Sequence, residues 1–185
     1  MMEKRKRFLY NKATCIGCGS CQIACKDCHG LLPGEFFRRA GIRTVSSPEG
    51  EKSIPYSLSC NHCEKPACVK VCPTGAMYQR EDGLVLHDDA ACIGCGRCYW
   101  ACPYGEVSFS LTKGVAQKCD TCIARREMGK EPACVAACPT GSLRFGVIGE
   151  EEGTVLELPF LPNPNITLPS TRIKRSGKGE EKSNE

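Results

Sequence analysis

Large apolar side chains are scarce in this sequence. Its 185 residues include one Trp, five Tyr, six Phe and four Met, and the hydrophobic share of 41% counts 17 cysteines. Leaving the cysteines out lowers the apolar share to about 32%, which is below the usual value for a globular protein. A core of this size does not hold a small domain together by itself, so the sequence predicts cross-linking by bound metal or by disulfides.

Long apolar runs are missing as well. No stretch approaches the roughly 18 residues that a membrane-spanning helix needs, so we expect no direct membrane span. The basic residues 4–7 lead into Phe8–Tyr10, but polar Asn11 follows at once, so we expect no signal peptide of its own. Disulfides usually form in exported proteins. The sequence therefore favours metal as the cross-link.

Strong charge of one sign and catalytic motifs are also absent. The 25 basic and 21 acidic residues give a net charge of +4. No basic stripe is interleaved with aromatic residues, so we expect no nucleic-acid binding. The sequence contains no nucleotide-binding glycine loop and no Ser/His/Asp set. It therefore predicts no catalytic residues.

Most of the cysteines lie in four motifs. In sequence order these are CIGCGSCQIAC (15–25), CNHCEKPACVKVCP (60–73), CIGCGRCYWACP (92–103) and CDTCIARREMGKEPACVAACP (119–139), called motifs one to four below. Motifs one and three have the ferredoxin spacing, in which three thiolates hold one iron–sulfur cluster and the fourth ligates a neighbouring cluster. Sixteen of the 17 cysteines fall in the motifs. Four [4Fe–4S] clusters with four thiolates each need that number, so we predict four clusters.

Other uses of the cysteines fit the spacing less well. Structural zinc favours two C-x2-C pairs separated by a dozen or more residues, and only motif four resembles that pattern. The seventeenth cysteine, Cys28, is predicted to be a spare thiol, with a redox or alternative-ligand role left open. His29 and His62 are adjacent to ligand cysteines in the sequence, and we expect both to lie outside the ligand set.

Two pairings of the motifs are consistent with the sequence. Motifs two and three are separated by a hairpin of ferredoxin length, which predicts that they share two clusters and leaves motifs one and four to share the others. The alternative pairs motif one with two and three with four, because only sixteen residues separate Cys102 from Cys119. The first pairing predicts cluster A at Cys15, Cys18, Cys21 and Cys138, cluster B at Cys119, Cys122, Cys134 and Cys25, cluster C at Cys60, Cys63, Cys68 and Cys102, and cluster D at Cys92, Cys95, Cys98 and Cys72.

This pairing also predicts the domain organisation. The fold is expected to be α+β, with two interleaved ferredoxin-like modules of the bacterial two-cluster type. Residues 59–103 form a module inserted into another that consists of residues 1–58 and 104–157. Residues 158–185 are predicted to form an extended, apolar, proline-rich arm followed by a disordered tail.

Few regular elements are expected between the motifs. Phe8–Tyr10 is predicted as an edge strand, and the Asp82-Gly83 step predicts a tight hairpin between Ala76–Gln79 and Leu84–His87. Ile123–Met128 is predicted to be helical. Alternating apolar residues predict two further strands, at residues 107–111 and 143–147.

With these motifs in view, the sequence resembles the four-cluster iron–sulfur subunit of dimethyl sulfoxide reductase-type complexes. The resemblance rests on the runs YSLSCNHCEKPACVKVCPTGAMYQREDGLV, CIGCGRCYWACPYG and KCDTC…GKEPACVAACPTGSLRFG and extends over residues 8–168. Some members of that family carry a tryptophan in place of one ligand. Here all sixteen ligand positions are cysteine, and Trp100 is their neighbour.

The resemblance implies a non-catalytic electron-transfer subunit of an oxidoreductase complex in anaerobic respiration. Such a subunit relays electrons between a quinone-linked membrane anchor subunit and a molybdopterin-containing catalytic subunit. It is membrane-associated through its partners, either on the cytoplasmic face or exported with a signal-bearing partner. Two alternatives stay open: a free-standing polyferredoxin serving a formate- or hydrogenase-linked system, and a maturation or structural protein that uses clusters only for folding.

Overall fold

The computed structural model describes residues 5–48 and 50–174, which form short strands and helices joined by long loops. The longest helix has ten residues. The strands are β1 (Lys6–Tyr10), β2 (Arg38–Ser47), β3 (Gly50–Ser59), β4 (Met77–Gln79), β5 (Val85–His87), β6 (Ser108–Ser110), β7 (Val115–Gln117), β8 (Leu143–Val147), β9 (Gly153–Val155) and β10 (Arg172–Lys174). The helices are α1 (Ser20–His29), α2 (Ala67–Lys70), α3 (Arg97–Ala101), α4 (Ile123–Glu127), α5 (Ala133–Ala136) and the 3-10 turn Pro164–Ile166.

A four-stranded sheet in the order β8-β1-β10-β9 joins distant parts of the sequence. Strand β1 runs antiparallel to β8, with Phe8 opposite Phe145, and parallel to β10, with Leu9 opposite Arg172. The prediction of an edge strand at Phe8–Tyr10 was therefore wrong. Strand β1 is paired along both of its edges, and all three of its consecutive apolar residues are buried. Such an unbroken apolar run is typical of an interior strand of a sheet that is covered on both faces.

Three antiparallel hairpins lie outside this sheet. The predicted hairpin between Ala76–Gln79 and Leu84–His87 is confirmed as β4-β5, and its turn contains Gly83 in the left-handed region at φ 81°. Strands β6 and β7 form the second hairpin. The third, β2-β3, has ten residues in each strand. It was not predicted, because apolar and polar side chains do not alternate along either strand.

The packing brings the first motif against the fourth and the second against the third. Helix α1 of motif one packs on α5 of motif four, and α2 packs on α3. The buried side chains form two groups that correspond to these two pairs of motifs. The larger contains residues of motifs one and four together with Cys60, and the smaller contains residues of motifs two and three. Helix α4 confirms the predicted helix in motif four.

The predicted arm packs on its own domain. Leu158 and Pro169 are buried, the amide of Lys65 donates to the carbonyl of Thr167 at 3.0 Å, and strand β10 completes the four-stranded sheet. The prediction of a disordered tail from residue 171 onward was wrong for residues 171–174, because Thr171, Arg172 and Ile173 are buried and β10 pairs with both β1 and β9. The rest of the predicted tail, residues 175–185, lies outside the described residues. Within the described ranges, no helix is long and apolar enough to cross a membrane.

Candidate metal centres

The cysteines of motifs two and three surround two small cavities. One is lined by the four thiols predicted for cluster C, namely Cys60, Cys63, Cys68 and Cys102. The other is lined by the four thiols predicted for cluster D, namely Cys72, Cys92, Cys95 and Cys98. In both, the last cysteine of one motif joins the first three of the other.

The set predicted for cluster B gathers where α1 meets α5. Burial, together with the negative charges of the neighbouring Cys134 and Cys122, raises the pKa of the Cys25 thiol to about 12. Burial also raises the pKa of Cys119 well above its usual value, with Cys25 the first of its charged neighbours. The structure thus brings the last cysteine of motif one to the first three cysteines of motif four.

The set predicted for cluster A lies at the other end of α1. Burial raises the pKa of Cys21, and the charges of Cys134 and Cys138 raise it further. The charge of Cys138 also acts to raise the pKa of Cys18. The charges of Cys138 and Cys15 both act to raise the pKa of the buried Tyr10 hydroxyl. Cys138 of motif four therefore lies near Cys18 and Cys21, and Cys138 and Cys15 both lie near Tyr10.

Glycines make the tight cysteine loops sterically feasible. Gly19 and Gly96 precede helices α1 and α3 with φ of 78° and 76°, a left-handed conformation that glycine adopts without strain. Gly94 has φ 69°, and a Cβ added to it would lie 2.4 Å from the carbonyl oxygen of Gly114. The loop of motif three can therefore lie against the β6-β7 hairpin only with glycine at that position.

Backbone amides point at several of the sulfurs. The amides of Met77, Glu106 and Thr121 donate to the sulfurs of Cys72, Cys102 and Cys119 at 3.4, 3.4 and 3.3 Å, respectively. Such N–H···S bonds stabilise negative charge on a ligand thiolate and are one of the means by which a protein sets a cluster potential.

These residues fit iron–sulfur clusters. Each set provides four soft thiolate ligands, the donor type that [4Fe–4S] clusters require. A buried cation supports the same assignment. Burial alone would lower the pKa of Arg38, but the charges of Cys134, Cys119, Cys21 and Cys25 outweigh burial and raise it above its usual value. Arg38 Nε is buried without a hydrogen-bond partner among the described residues, so it is free to donate to a cluster sulfur.

Several residues around the sulfurs were not predicted from the sequence. Ser57 Oγ lies 3.3 Å from Cys21 Sγ, and His29 Nε2 lies 3.4 Å from Cys122 Sγ. Cys28, His29 and Cys122 place their ligand atoms within 4.8 Å of one another. Spacing could not reveal these contacts, because the partners are 36 and 93 positions apart in the sequence. His62 is buried, and its Nδ1 accepts a hydrogen bond from the amide of Val85 at 3.1 Å.

Comparison with known proteins identifies the family. The family model of the 4Fe-4S dicluster domain matches residues 53–148, and that of a 4Fe-4S binding domain matches residues 12–29. The B subunit of the anaerobic dimethyl sulfoxide reductase of Escherichia coli (strain K12) is 42% identical over 184 residues, which cover 94% of this chain and 90% of that protein. This protein belongs to the family of dimethyl sulfoxide reductase-type iron–sulfur subunits.

Other members of this family agree with that assignment. YnfG of the same strain, a probable anaerobic dimethyl sulfoxide reductase subunit, is 41% identical, with the same coverage. The thiosulfate reductase electron transfer subunit PhsB of Salmonella typhi is 39% identical over 150 residues, which cover 78% of this chain and 77% of that protein. The resemblance seen in the sequence is confirmed, and the protein is an iron–sulfur electron-transfer subunit. These three relatives are named as parts of reductases, which does not fit the alternative of a free-standing polyferredoxin.

Proposed function

We propose that this protein holds four [4Fe–4S] clusters through sets A to D and relays electrons between a quinone-linked membrane anchor subunit and a molybdopterin-containing catalytic subunit. The observation that carries the proposal is that the four thiols of set C line one cavity and the four thiols of set D line another. The packing of α1 on α5, which brings motif one against motif four, supports sets A and B. The clusters supply one-electron transfer, and the protein holds them, shields them from water and sets their electrostatic surroundings.

We further propose that the clusters follow one another in the order A, B, C, D. Helix α1 carries ligands of both A and B, namely Cys21 and Cys25. Sets B and C are neighbours, since Cys60 of set C packs in the same buried group of side chains as Cys119 and Cys134 of set B. Sets C and D share the packed pair α2 and α3. The interleaved domain bounds, with residues 59–103 inserted between 1–58 and 104–157, agree with this order.

The two ends of this series are the proposed docking points for the partner subunits. Cys18 of set A and Cys95 of set D are exposed, whereas all the ligands of set B are buried. Ile16 is two positions before Cys18 in the sequence, and Ile93 is two positions before Cys95. Their surfaces are 61% and 65% exposed. Contiguous exposed apolar patches mark interaction sites, and we propose that Ile16 and Ile93 each belong to one such patch. Membrane association is proposed to come from the anchor subunit.

Affinity purification from anaerobically grown cells tests the proposal. We expect a molybdenum-containing subunit to copurify in equal amounts. Ile93→Glu should weaken the association of one partner without changing the iron content. Ile166→Glu, which places the same charge at another exposed position, serves as the matched control. A full set of clusters in a monomer that binds no partner and is reduced and reoxidised freely would contradict the relay proposal.

A further inference from the structure

A buried series of hydrogen bonds connects a charged guanidinium to a ligand sulfur of set A. Arg38 Nη1 donates to Ser57 Oγ at 3.0 Å, and Ser57 Oγ lies 3.3 Å from Cys21 Sγ. Arg38 and Ser57 are 2% and 4% exposed, so water does not compete for these bonds. The register of β2 and β3, which places Arg38 opposite Ser59, holds the three groups together.

The direction of each hydrogen bond in this series follows from chemistry. A guanidinium has no acceptor, so Arg38 must donate and Ser57 Oγ must accept. A thiolate ligand has no hydrogen, so Cys21 Sγ must accept from Ser57. The single hydroxyl hydrogen of Ser57 therefore points at the sulfur. Donation by Arg38 also polarises the hydroxyl and strengthens the bond that it donates.

We propose that Ser57 donates a hydrogen bond to the Cys21 sulfur and thereby raises the reduction potential of cluster A, with Arg38 as the positioning residue that orients the hydroxyl. The proposal rests on the ligand set proposed above for cluster A. A cluster gains a negative charge on reduction, so a donor at a ligand sulfur stabilises the reduced form more than the oxidised form.

The Ser57 hydroxyl acts on one cluster, whereas the Arg38 charge acts on two. The guanidinium lies over the Phe8 ring at 4.7 Å, and its Nη2 donates to Ser59 Oγ at 2.9 Å. None of the carboxylates among residues 5–48 and 50–174 forms an ion pair with it. Its charge acts on cysteines of both set A and set B, whereas the Ser57 hydroxyl contacts Cys21 alone among the cysteines of the described residues.

Redox titration of the reconstituted full-length protein, followed by electron paramagnetic resonance, tests the proposal. Ser57→Ala should lower the midpoint potential of the cluster whose signal Cys18→Ser also alters, and leave the other three midpoints unchanged. Ser59→Ala is the matched control, because it removes another acceptor of Arg38 but no contact to Cys21, and it should give a smaller shift.

A pair of variants of equal shape separates hydrogen bonding from packing. Ser57→Thr keeps a hydroxyl and Ser57→Val replaces it by a methyl group, so the midpoint of cluster A should be lower in the Val variant than in the Thr variant. Equal midpoints in these two variants would overturn the proposal. Iron analysis of the wild-type protein distinguishes a wrong ligand assignment for cluster A from a wrong assignment of the hydrogen bond. Absence of cluster A would contradict the ligand assignment as well, whereas full iron with equal midpoints contradicts only the hydrogen bond.

Discussion

The amide nitrogen of Glu64 donates a hydrogen bond to the carbonyl oxygen of Leu168 at 2.9 Å. Glu64 follows Cys63 of set C directly, so this bond fixes the arm against a cluster ligand loop. The side chain of Thr167 also interacts with the Cys63 thiol, where it opposes the rise in pKa, to about 11, that burial causes. The arm is therefore part of the walls around set C, and not a free extension.

Truncation of the protein after Glu157 should destabilise it and release the iron of set C. The change removes buried Leu158, Pro169 and Ile173, and each large apolar side chain contributes about 2 kcal/mol when buried. Iron content after anaerobic reconstitution measures the effect. Truncation after Lys174 is the control and should leave the iron content unchanged. Full iron in the shorter protein would contradict a structural role for the arm.

The four sets should hold about sixteen iron atoms and about sixteen acid-labile sulfides per protein molecule, since each [4Fe–4S] cluster contains four of each. Colorimetric iron and sulfide analysis of the anaerobically reconstituted protein provides the measurement. A value near eight, or zinc in place of iron, is incompatible with four such clusters.

Crossed ligation predicts that distant cysteines affect the same cluster. Cys18→Ser and Cys138→Ser, although far apart in the sequence, should alter the same electron paramagnetic resonance signal, because both thiols belong to set A. Cys72→Ser, whose thiol lies in the cavity of set D, should alter a different signal. Changes in separate clusters for Cys18 and Cys138 would favour another pairing.

Cys28 should be dispensable in the wild-type protein. Its thiol lies near Cys122 and His29, but set B already has four cysteines. Cys28→Ala is expected to leave iron content and all cluster signals unchanged, whereas Cys122→Ala should remove or convert one cluster. Loss of a cluster in Cys28→Ala would mean that Cys28, and not one of the sixteen, is a ligand.

The ion pair between Arg39 and Glu106 should matter for stability. Their side chains meet at 2.9 Å, and the Glu106 side chain is 4% exposed whereas that of Arg39 is 43% exposed. Arg39→Ala leaves a buried carboxylate without its partner and should lower the free energy of unfolding by about 2 kcal/mol, less than for a fully buried pair because water reaches Arg39. Anaerobic urea unfolding, followed by the visible absorbance of the clusters, measures this loss.

The same ion pair also determines how the free energy of unfolding changes with pH. Burial raises the pKa of Glu106, although Arg39 opposes that shift. A folded-state pKa above the unfolded one means that stability falls as pH rises between the two values. Loss of Arg39 raises the Glu106 pKa further, so the destabilisation in Arg39→Ala should be larger at neutral pH than at mildly acidic pH. In Arg39→Ala/Glu106→Gln this difference should disappear, and its persistence would assign the pH dependence to another group.

The sequence alone determined the chemistry of this protein. The spacing within each motif constrains which thiols can bind one cluster, because a C-x2-C loop brings its two sulfurs together whatever surrounds it. The Asp82-Gly83 turn and the helix in motif four were predictable for the same reason, since they depend on neighbouring residues. The family was recognisable from the same runs, and the comparisons confirm it.

Tertiary structure decided how the motifs combine and what surrounds them. Strand β1 lies inside its sheet because β10, more than 160 residues away, pairs with it, and no local pattern encodes that partner. The contacts of Arg38 and Ser57 with Cys21 arise from the register of a hairpin whose side chains carry no apolar periodicity. Local spacing thus specified the ligands, whereas long-range strand pairing and burial specified the polar groups that act on them.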